Sequence, residues 1–310
     1  MPMPILPNPF DGDGEWLRCA LHSHTTNSDG DRSPAEVVKH YADAGFDVLF
    51  LTDHWVRTVE PSPETMLEVP SAELNATVTG SGLDAHVLAL GIGADPELPD
   101  GDFVGLPETV AWVLAQGGVP YLAHTYWSGL RTAEFESCEG LVGVEVWNAA
   151  CELETGRGLA ALHWDEALGA GRLLYALATD DSHHQPHDSV AGWIWARCSE
   201  RSAAAVLAAL SEGSFYSSAG PEIEAVEVTA DAVGVRCSPA RSVTLVTSRW
   251  EGARANAERP GYPGHAHALE TNDRGEIVAV RLERPALARY GRVEVEDSAG
   301  RRAWTNPLWI

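Results

Sequence analysis

Short apolar runs recur along the first two thirds of the chain, and helical segments separate many of them. These runs are rich in strand-forming residues and cover residues 16–22, 46–54, 86–92, 118–125, 143–148 and 172–183. Continuous apolar strands that alternate with helices are typical of a largely parallel sheet that is buried on both faces. This feature predicts an α/β fold, either a barrel or a doubly wound sheet.

The clearest helix signal lies in the segment SPAEVVKHYADAGF, which begins at Ser33. Ser33 predicts the N-cap, Pro34 fits the first helical position, and Glu36 is the capping-box partner. Gly45 predicts the end of this helix. Further helices are predicted over residues 107–117, 158–171 and 202–213.

The sequence changes character after residue 221. Segments with period-two alternation follow one another there, and no long helical segment interrupts them. This pattern predicts a small C-terminal β-sandwich. We therefore expect two domains, an α/β domain over residues 1–221 and a β-sandwich domain over residues 222–310.

The negative net charge of the chain limits the classes of partner that we expect it to bind. The formal net charge is −24 at pH 7, and such a surface repels phosphate backbones and anionic lipid headgroups. We expect no extended nucleic acid and no membrane as a partner. A small anionic substrate stays open, because a divalent cation inside a site can outweigh the distant surface field. The sequence leaves the oligomeric state undetermined.

The cysteines and the N-terminal residues bear on the compartment. The five cysteines are scattered, and none are spaced as CxxC. The N-terminal residues do not read as a signal peptide, and no run of about 18 apolar residues predicts a membrane span. We expect a reduced, cytoplasmic setting.

Histidines end four of the predicted strands, and aspartates accompany two of them. In the segments LHSHT and TDDSH, two metal-ligand residue types stand at i and i+2, so both side chains point to one face of a strand. Because the carboxyl ends of barrel strands meet at one face, we expect these side chains to converge. Imidazoles with carboxylates and without thiolates favour zinc, manganese or iron. The set comprises His22, His24, Asp53, His54, His124, Asp181 and His183.

The ordered motifs HSHTTNSDG, LTDH, AHT and DDSH, with a glutamate between the second and the third, resemble the PHP superfamily of polymerase and histidinol phosphatase metallohydrolases. The resemblance spans residues 18–218. It implies a distorted (βα)7-type barrel of mostly parallel strands, with two or three metal ions at its carboxyl end. The segments GVEVWN and YSSAGPEI also resemble the carbaryl-hydrolase-like (CehA-type) branch, which carries a C-terminal β-domain.

The resemblance implies how the metal ligands divide between ions. The implied ligands are His22, His24, Glu73 and Asp181 for one ion, and Asp29, His54 and His183 for another. Glu73 and His124 are then placed to bridge ions or to hold a further one. Some trinuclear members carry an extra histidine after the strand at 86–92, where this chain offers only Asp95. We expect two tightly held divalent ions, with a third in question, and manganese, zinc or iron as the metal.

The resemblance also implies a metal-dependent hydrolase whose nucleophile is a metal-bridged hydroxide. We expect a phosphoesterase that acts on a small phosphorylated metabolite or nucleotide. A carboxylic or carbamate ester hydrolase with the same metal site is an alternative, and a non-catalytic metal-binding or interaction module is a third. Three residues are candidates to assist: His184 as a proton donor, His86 facing the cavity, and Arg131 as a phosphate clamp.

Overall fold

The computed structural model describes residues 6–96, 104–259 and 265–310. Within these ranges the α-helices are α1 (Pro34–Asp43), α2 (Leu106–Ala115), α3 (Ala149–Thr155), α4 (Ala161–Gly169) and α5 (Ala203–Glu212). Helix α1 has the predicted capping box, in which Ser33 caps the N-terminus and Glu36 reaches back to the cap. The helices predicted over 107–117, 158–171 and 202–213 correspond to α2, α4 and α5. None of the described helices is long and apolar enough to cross a bilayer.

Ten strands lie in the first two thirds of the chain. They are β1 (Glu15–Ala20), β2 (Val48–Leu49), β3 (Leu67–Glu68), β4 (Ala72–Thr77), β5 (Asp84–Leu90), β6 (Val119–Leu122), β7 (Gly143–Asn148), β8 (Tyr175–Thr179), β9 (Trp193–Cys198) and β10 (Phe215–Ser218). Strands β4 to β8 form a five-stranded sheet in chain order, whereas β1, β2, β3, β9 and β10 belong to a second sheet. The fold is thus an α/β arrangement with few helices and mixed sheets.

The expected (βα)7 barrel is not evident in the described residues. They contain five α-helices, and strands β1 to β10 fall into two separate sheets. Strand β5 runs antiparallel to both β4 and β6, and β9 runs antiparallel to β1. Antiparallel neighbours need no helical crossover, and β4 and β5 pair without one, whereas α2 lies between β5 and β6. Two isolated parallel bridges link the two sheets: Ser23, after β1, pairs with Ser182, after β8, and His54, after β2, pairs with Glu73 on β4.

The remaining strands occupy the C-terminal region. They are β11 (Ile223–Val228), β12 (Ala232–Ala240), β13 (Ser242–Thr247), β14 (Ala253–Asn256), β15 (Ala266–Thr271), β16 (Ile277–Glu283), β17 (Gly291–Glu296) and β18 (Arg302–Thr305). A four-stranded sheet, ordered β11-β12-β16-β15, packs its apolar face on β13, β14, β17 and β18. Two facing sheets are therefore present, as the alternating pattern predicted.

The second sheet of this pair also contains strands that precede residue 222. Its nine strands run in the order β14-β13-β17-β18-β10-β9-β1-β2-β3, so C-terminal and N-terminal strands share one hydrogen-bonded ladder through β10 and β18. A buried ion pair adds to this connection, because Arg292 on β17 donates through Nε and Nη2 to both oxygens of Asp165 on α4, at 2.8 Å each. The domain division at residues 221 and 222 stays a prediction.

Candidate metal centre

Nine histidine and carboxylate side chains converge where the strands of the two sheets end. They include all eight ligands expected from the resemblance, together with His86 on β5. Two of these residues have left-handed backbone conformations, His124 with φ 28° and Asp181 with φ 55°, which are uncommon for residues other than glycine. The chain therefore turns sharply after β6 and after β8, where each ligand follows its strand.

Four donor atoms form the innermost group: Nε2 of His22, Nε2 of His24, Oε2 of Glu73 and Oδ1 of Asp181. The two imidazole nitrogens lie 3.1 Å apart, and each lies 3.1–3.2 Å from both carboxylate oxygens. Donors held about 2.0–2.1 Å from a tetrahedral ion would be separated by about 3.3–3.4 Å. Among the described residues, Oδ1 of Asp181 is buried without a hydrogen-bond partner. The group fits one divalent cation at its centre.

A more open group of donors lies beside the first. Asp29 Oδ1 lies 3.4 Å from His183 Nε2 and 3.5 Å from His24 Nδ1, and Asp29 Oδ2 lies 3.7 Å from His54 Nε2. The Asp29 side chain is 54% exposed. Nδ1 of His54 is buried, has no hydrogen-bond partner within residues 6–96, 104–259 and 265–310, and lies 3.4 Å from Glu73 Oε2. The wider spacing and exposure indicate a position that solvent and substrate can reach.

Glu73 contacts a third set of imidazoles through its other oxygen. Oε1 lies 2.9 Å from His86 Nδ1 and 3.2 Å from His124 Nε2. Trp55 donates to the oxygen of Asn75, so the Asn75 amide nitrogen donates to His86 Nε2 at 2.8 Å and leaves His86 Nδ1 to donate to Glu73. His86, expected only to assist, thus directly contacts the carboxylate between the donor groups.

The buried carboxylates of the cluster need positive charge nearby to compensate them. Burial opposes protonation of His24, but the nearby carboxylates of Asp181 and Glu73 outweigh it and raise the His24 pKa to about 9. Burial likewise opposes ionisation of both carboxylates, yet the His22 imidazole helps to keep their pKa values well below the ordinary range. Without metal, protons on histidine compensate the carboxylates. A bound cation would take over that compensation and displace the protons.

Glu145 on β7 is a functional residue that the sequence reasoning missed. Its Oε1 accepts hydrogen bonds from His22 Nδ1 at 2.8 Å and from Thr179 Oγ1 at 2.7 Å. Its Oε2 accepts from the His124 backbone nitrogen and the Asn148 side chain, both at 2.8 Å. This arrangement fixes the His22 tautomer so that Nε2 faces the other donors. The only signal was an acid inside the apolar run GVEVWN.

Two buried aspartates of the motifs do not belong to the cluster. Asp53 in LTDH and Asp180 in TDDSH have both carboxylate oxygens occupied by hydrogen-bond donors of the protein. The donors are Thr25, Ser28 and Thr58 for Asp53, and Tyr41, Val190, Ala191 and Gly192 for Asp180. These residues hold the loops that carry the histidines.

A cleft of about 660 Å³ opens over the donor groups. One wall contains Trp127, Cys151, Leu153 and Glu154, and the loop after β8 contributes His184, His187 and Asp188. His184, in the loop after β8, lines the cleft with a largely exposed side chain.

Arg131 does not reach the cleft. Its side chain is 78% exposed and pairs with Glu134 at 3.0 Å, beside a separate surface pocket. The expected phosphate clamp therefore does not fit its position, because a local acidic partner holds the guanidinium elsewhere.

The second HxH motif, His265 and His267, contrasts with the first. Both histidines are exposed, and His267 lies on β15 at an edge of the four-stranded sheet. An HxH pattern thus builds a cluster only where other strands bring carboxylates to it.

Comparison with known proteins gives structural matches. No protein-family model and no curated protein matches the sequence. An amidohydrolase from Chromobacterium violaceum, solved with bound sulfate and no metal, is 17% identical and matches 55% of this chain and 89% of its own with a TM-score of 0.42. PsfC from Pseudomonas syringae is 16% identical and matches 59% of this chain and 83% of its own, with a TM-score of 0.42.

A third structure covers nearly the whole chain. It is a two-domain protein from Bacteroides vulgatus containing a predicted PHP-like metal-dependent phosphoesterase. It is 15% identical over 99% of this chain and 98% of its own, with a TM-score of 0.51. This chain therefore shares the overall fold of that two-domain protein.

Proposed function

We propose that this chain is a metal-dependent hydrolase of the PHP superfamily and that it acts as a phosphoesterase on a small phosphorylated metabolite or nucleotide. One observation carries the proposal. Two imidazole nitrogens and two carboxylate oxygens meet at 3.1–3.2 Å inside the protein, and one of these oxygens, Oδ1 of Asp181, has no hydrogen-bond partner among the residues described. Such an arrangement is costly without a cation to compensate it.

The donor groups suggest how ions are held. His22, His24, Glu73 and Asp181 would hold one ion, and Asp29, His54 and His183 would hold a second, with Glu73 facing both groups. His124, next to the other oxygen of Glu73, offers a donor for a further ion. We propose two tightly held ions of manganese, zinc or iron.

The reaction needs a nucleophile, charge compensation and a proton. Bound divalent cations supply Lewis acidity and make water nucleophilic near neutral pH. In hydrolysis, water adds to phosphorus, the bond from phosphorus to the leaving oxygen breaks with its electron pair on that oxygen, and the oxygen takes up a proton. Glu145 orients His22, and His86 orients Glu73. His184 is placed on the cleft wall to deliver the proton, because its exposed imidazole exchanges readily with solvent.

A carboxylic or carbamate ester hydrolase is a second candidate. None of the lysines or arginines in the described residues lines the cleft, so no side-chain guanidinium or ammonium is available for a phosphate. A neutral ester would need none. A non-catalytic module is the least supported alternative, since the donor cluster retains every expected ligand residue.

Metal analysis joined to an activity panel tests the proposal. We expect protein purified without chelators to carry about two transition-metal ions and to release phosphate from simple phosphomonoesters. His22→Ala should lose metal and activity together, whereas the exposed HxH histidine variant His267→Ala should keep both. Hydrolysis of aryl acetates without phosphate release would favour the second candidate. Metal-free, inactive parent protein would refute both.

Narrower assignments accompany this proposal. We propose the carbaryl-hydrolase-like branch, a cytoplasmic setting, a small-molecule substrate and a domain boundary near residue 221. We also propose that the two sheets around the cleft form the distorted (βα)7-type barrel that the resemblance implies.

A further inference from the structure

One wall of the cleft combines an aromatic ring, an aliphatic side chain and an acid. Trp127 packs edge-on against the His124 ring, with ring centroids 5.1 Å apart. Its Nε1 donates to Glu154 Oε2 at 2.9 Å. Leu153, next to Glu154 on α3, is 66% exposed at the same cleft. Large apolar side chains exposed beside a cleft are typical of a surface that a ligand covers.

The charge of the cleft is divided between its floor and this wall. Two divalent ions on the floor would offset the negative charges of Asp29, Glu73 and Asp181 together with that of Glu145 behind His22, so an anionic ester could approach the ions there. Away from that floor, the remaining acids among the described residues that line the cleft are Glu154 and Asp188, and Oδ2 of Asp188 already accepts two backbone hydrogen bonds. All 21 lysines and arginines fall within the described residues, and none lines the cleft.

We propose that Trp127, Leu153 and Glu154 form a leaving-group subsite that accepts an apolar group, neutral or cationic, and rejects a second negative charge. The inference rests on the proposed function, because the reacting ester must occupy the donor cluster for the rest of the substrate to meet this wall. Substrates with one phosphoester and an uncharged or amine-bearing leaving group therefore fit, whereas polyphosphates and carboxylated phosphoesters do not. Trp127 supplies the apolar face, and Glu154 favours a cationic leaving group over an anionic one.

Three aryl phosphates that differ in one para substituent test the subsite. They are 4-methylphenyl phosphate, 4-carboxyphenyl phosphate and 4-(aminomethyl)phenyl phosphate. For each enzyme, kcat/KM of the two charged substrates is divided by that of the methyl substrate. Comparing this ratio between variant and parent cancels the intrinsic reactivity of each ester.

Glu154→Gln should raise the carboxyl-to-methyl ratio and lower the aminomethyl-to-methyl ratio, each by about fivefold or more, since two charges about 4 Å apart interact by roughly 1 kcal/mol even in water. Glu227→Gln, which removes an exposed acid from β11, should change neither ratio. Trp127→Ala should raise KM for all three substrates while the metal content stays that of the parent.

The outcomes separate the two hypotheses. Unchanged ratios in Glu154→Gln, or the same changes in Glu227→Gln, would overturn the subsite while the phosphoesterase function stands. A metal-loaded parent that hydrolyses none of the three substrates would overturn the proposed function and the subsite with it.

Discussion

Two neighbouring aspartates in the segment TDDSH show how differently a buried carboxylate can be used. Asp180 accepts four hydrogen bonds, three from backbone nitrogens and one from Tyr41. Oδ1 of Asp181 has no hydrogen-bond partner in the part of the chain that the structure describes, and it lies within 3.2 Å of two imidazole nitrogens. Burial raises the pKa of Asp180 to about 6, whereas His22 and His24 overcome the same effect at Asp181 and lower its pKa.

The contrast teaches that hydrogen-bond saturation separates structural acids from ligand acids better than motif position does. A carboxylate whose oxygens all accept hydrogen bonds stabilises the loop that surrounds it. A buried carboxylate without these hydrogen bonds destabilises the folded protein unless a cation is bound. The same difference distinguishes Asp53, whose oxygens are occupied, from Glu73, which faces imidazoles on both sides.

Asp181→Asn should have the largest effect. The amide retains the shape but removes the charge that an ion in the innermost group requires, so we expect metal affinity and kcat/KM to fall more than about 100-fold. Metal analysis after dialysis and steady-state kinetics check this expectation. Full metal content in this variant would contradict the ligand assignment.

Asp180→Asn is the matched control and should behave in the opposite way. One amide group cannot accept all four hydrogen bonds, and its NH₂ faces backbone donors, so we expect a loss of about 3 kcal/mol in the free energy of unfolding. Metal stoichiometry of the folded protein should be unchanged. Denaturant unfolding of both variants without metal measures the free energy of unfolding. A lower free energy of unfolding for Asp181→Asn than for Asp180→Asn would contradict the comparison.

Glu145→Gln should weaken metal binding without abolishing it. The neutral amide is a poorer acceptor for His22 Nδ1, and loss of such a partner typically costs about 10–100-fold in metal affinity. Competition with a chelator measures the change, and Glu227→Gln is the reference. An affinity equal to that of the parent would show that Glu145 serves packing alone.

Metal binding should strengthen as pH rises toward 9. In the metal-free protein His24 has a pKa of about 9 and holds a proton at neutral pH that an ion must displace. Affinity should therefore rise by up to about tenfold per pH unit for each proton that the ion displaces. Calorimetry in buffers of different ionisation enthalpy counts the protons, and a pH-independent affinity would refute this account.

Glu68 extends the comparison to an unsaturated carboxylate outside the cluster, and its effect should be the smallest. Its Oε1 is buried without a partner among the described residues, and burial raises its pKa to about 7. The folded state binds this proton more tightly than the unfolded state, so the stabilisation is complete below about pH 4.5 and is lost as pH rises to 7.

Glu68→Gln should therefore be more stable than the parent at pH 8, by roughly 1 kcal/mol after allowance for partial exposure. The advantage should shrink at pH 5. Glu64→Gln, an exposed acid in the preceding loop, should show no such pH dependence in thermal unfolding.

Local chemistry explains what the sequence could reveal. Ser33, Pro34 and Glu36 act within one helical turn, so α1 was predictable in detail. The spacing of His22 and His24 on one strand face was equally local. Their convergence with Asp181 followed from the general rule that strand ends meet, although the closed barrel that suggested it is not evident.

Long-range pairing explains what the sequence could not reveal. The antiparallel return of β9 along β1 joins residues about 180 positions apart, and no local pattern encodes it. Glu145 resembled any acid in a strand until His22 and His124 were seen to meet it. Arg131 was chosen by residue type alone, and its partner Glu134 lies three positions away.

The shared nine-stranded sheet also protects an edge. Strand β10 hydrogen-bonds on one side to β9, in the half of the molecule that holds the cleft, and on the other side to β18, near the C-terminus. A chain shortened after residue 221 would leave β10 with open backbone groups and would uncover apolar surface that Trp304 now fills. Exposed strand edges of this kind recruit other chains. We therefore expect β18, by pairing with β10, to limit aggregation of the half that carries the cleft.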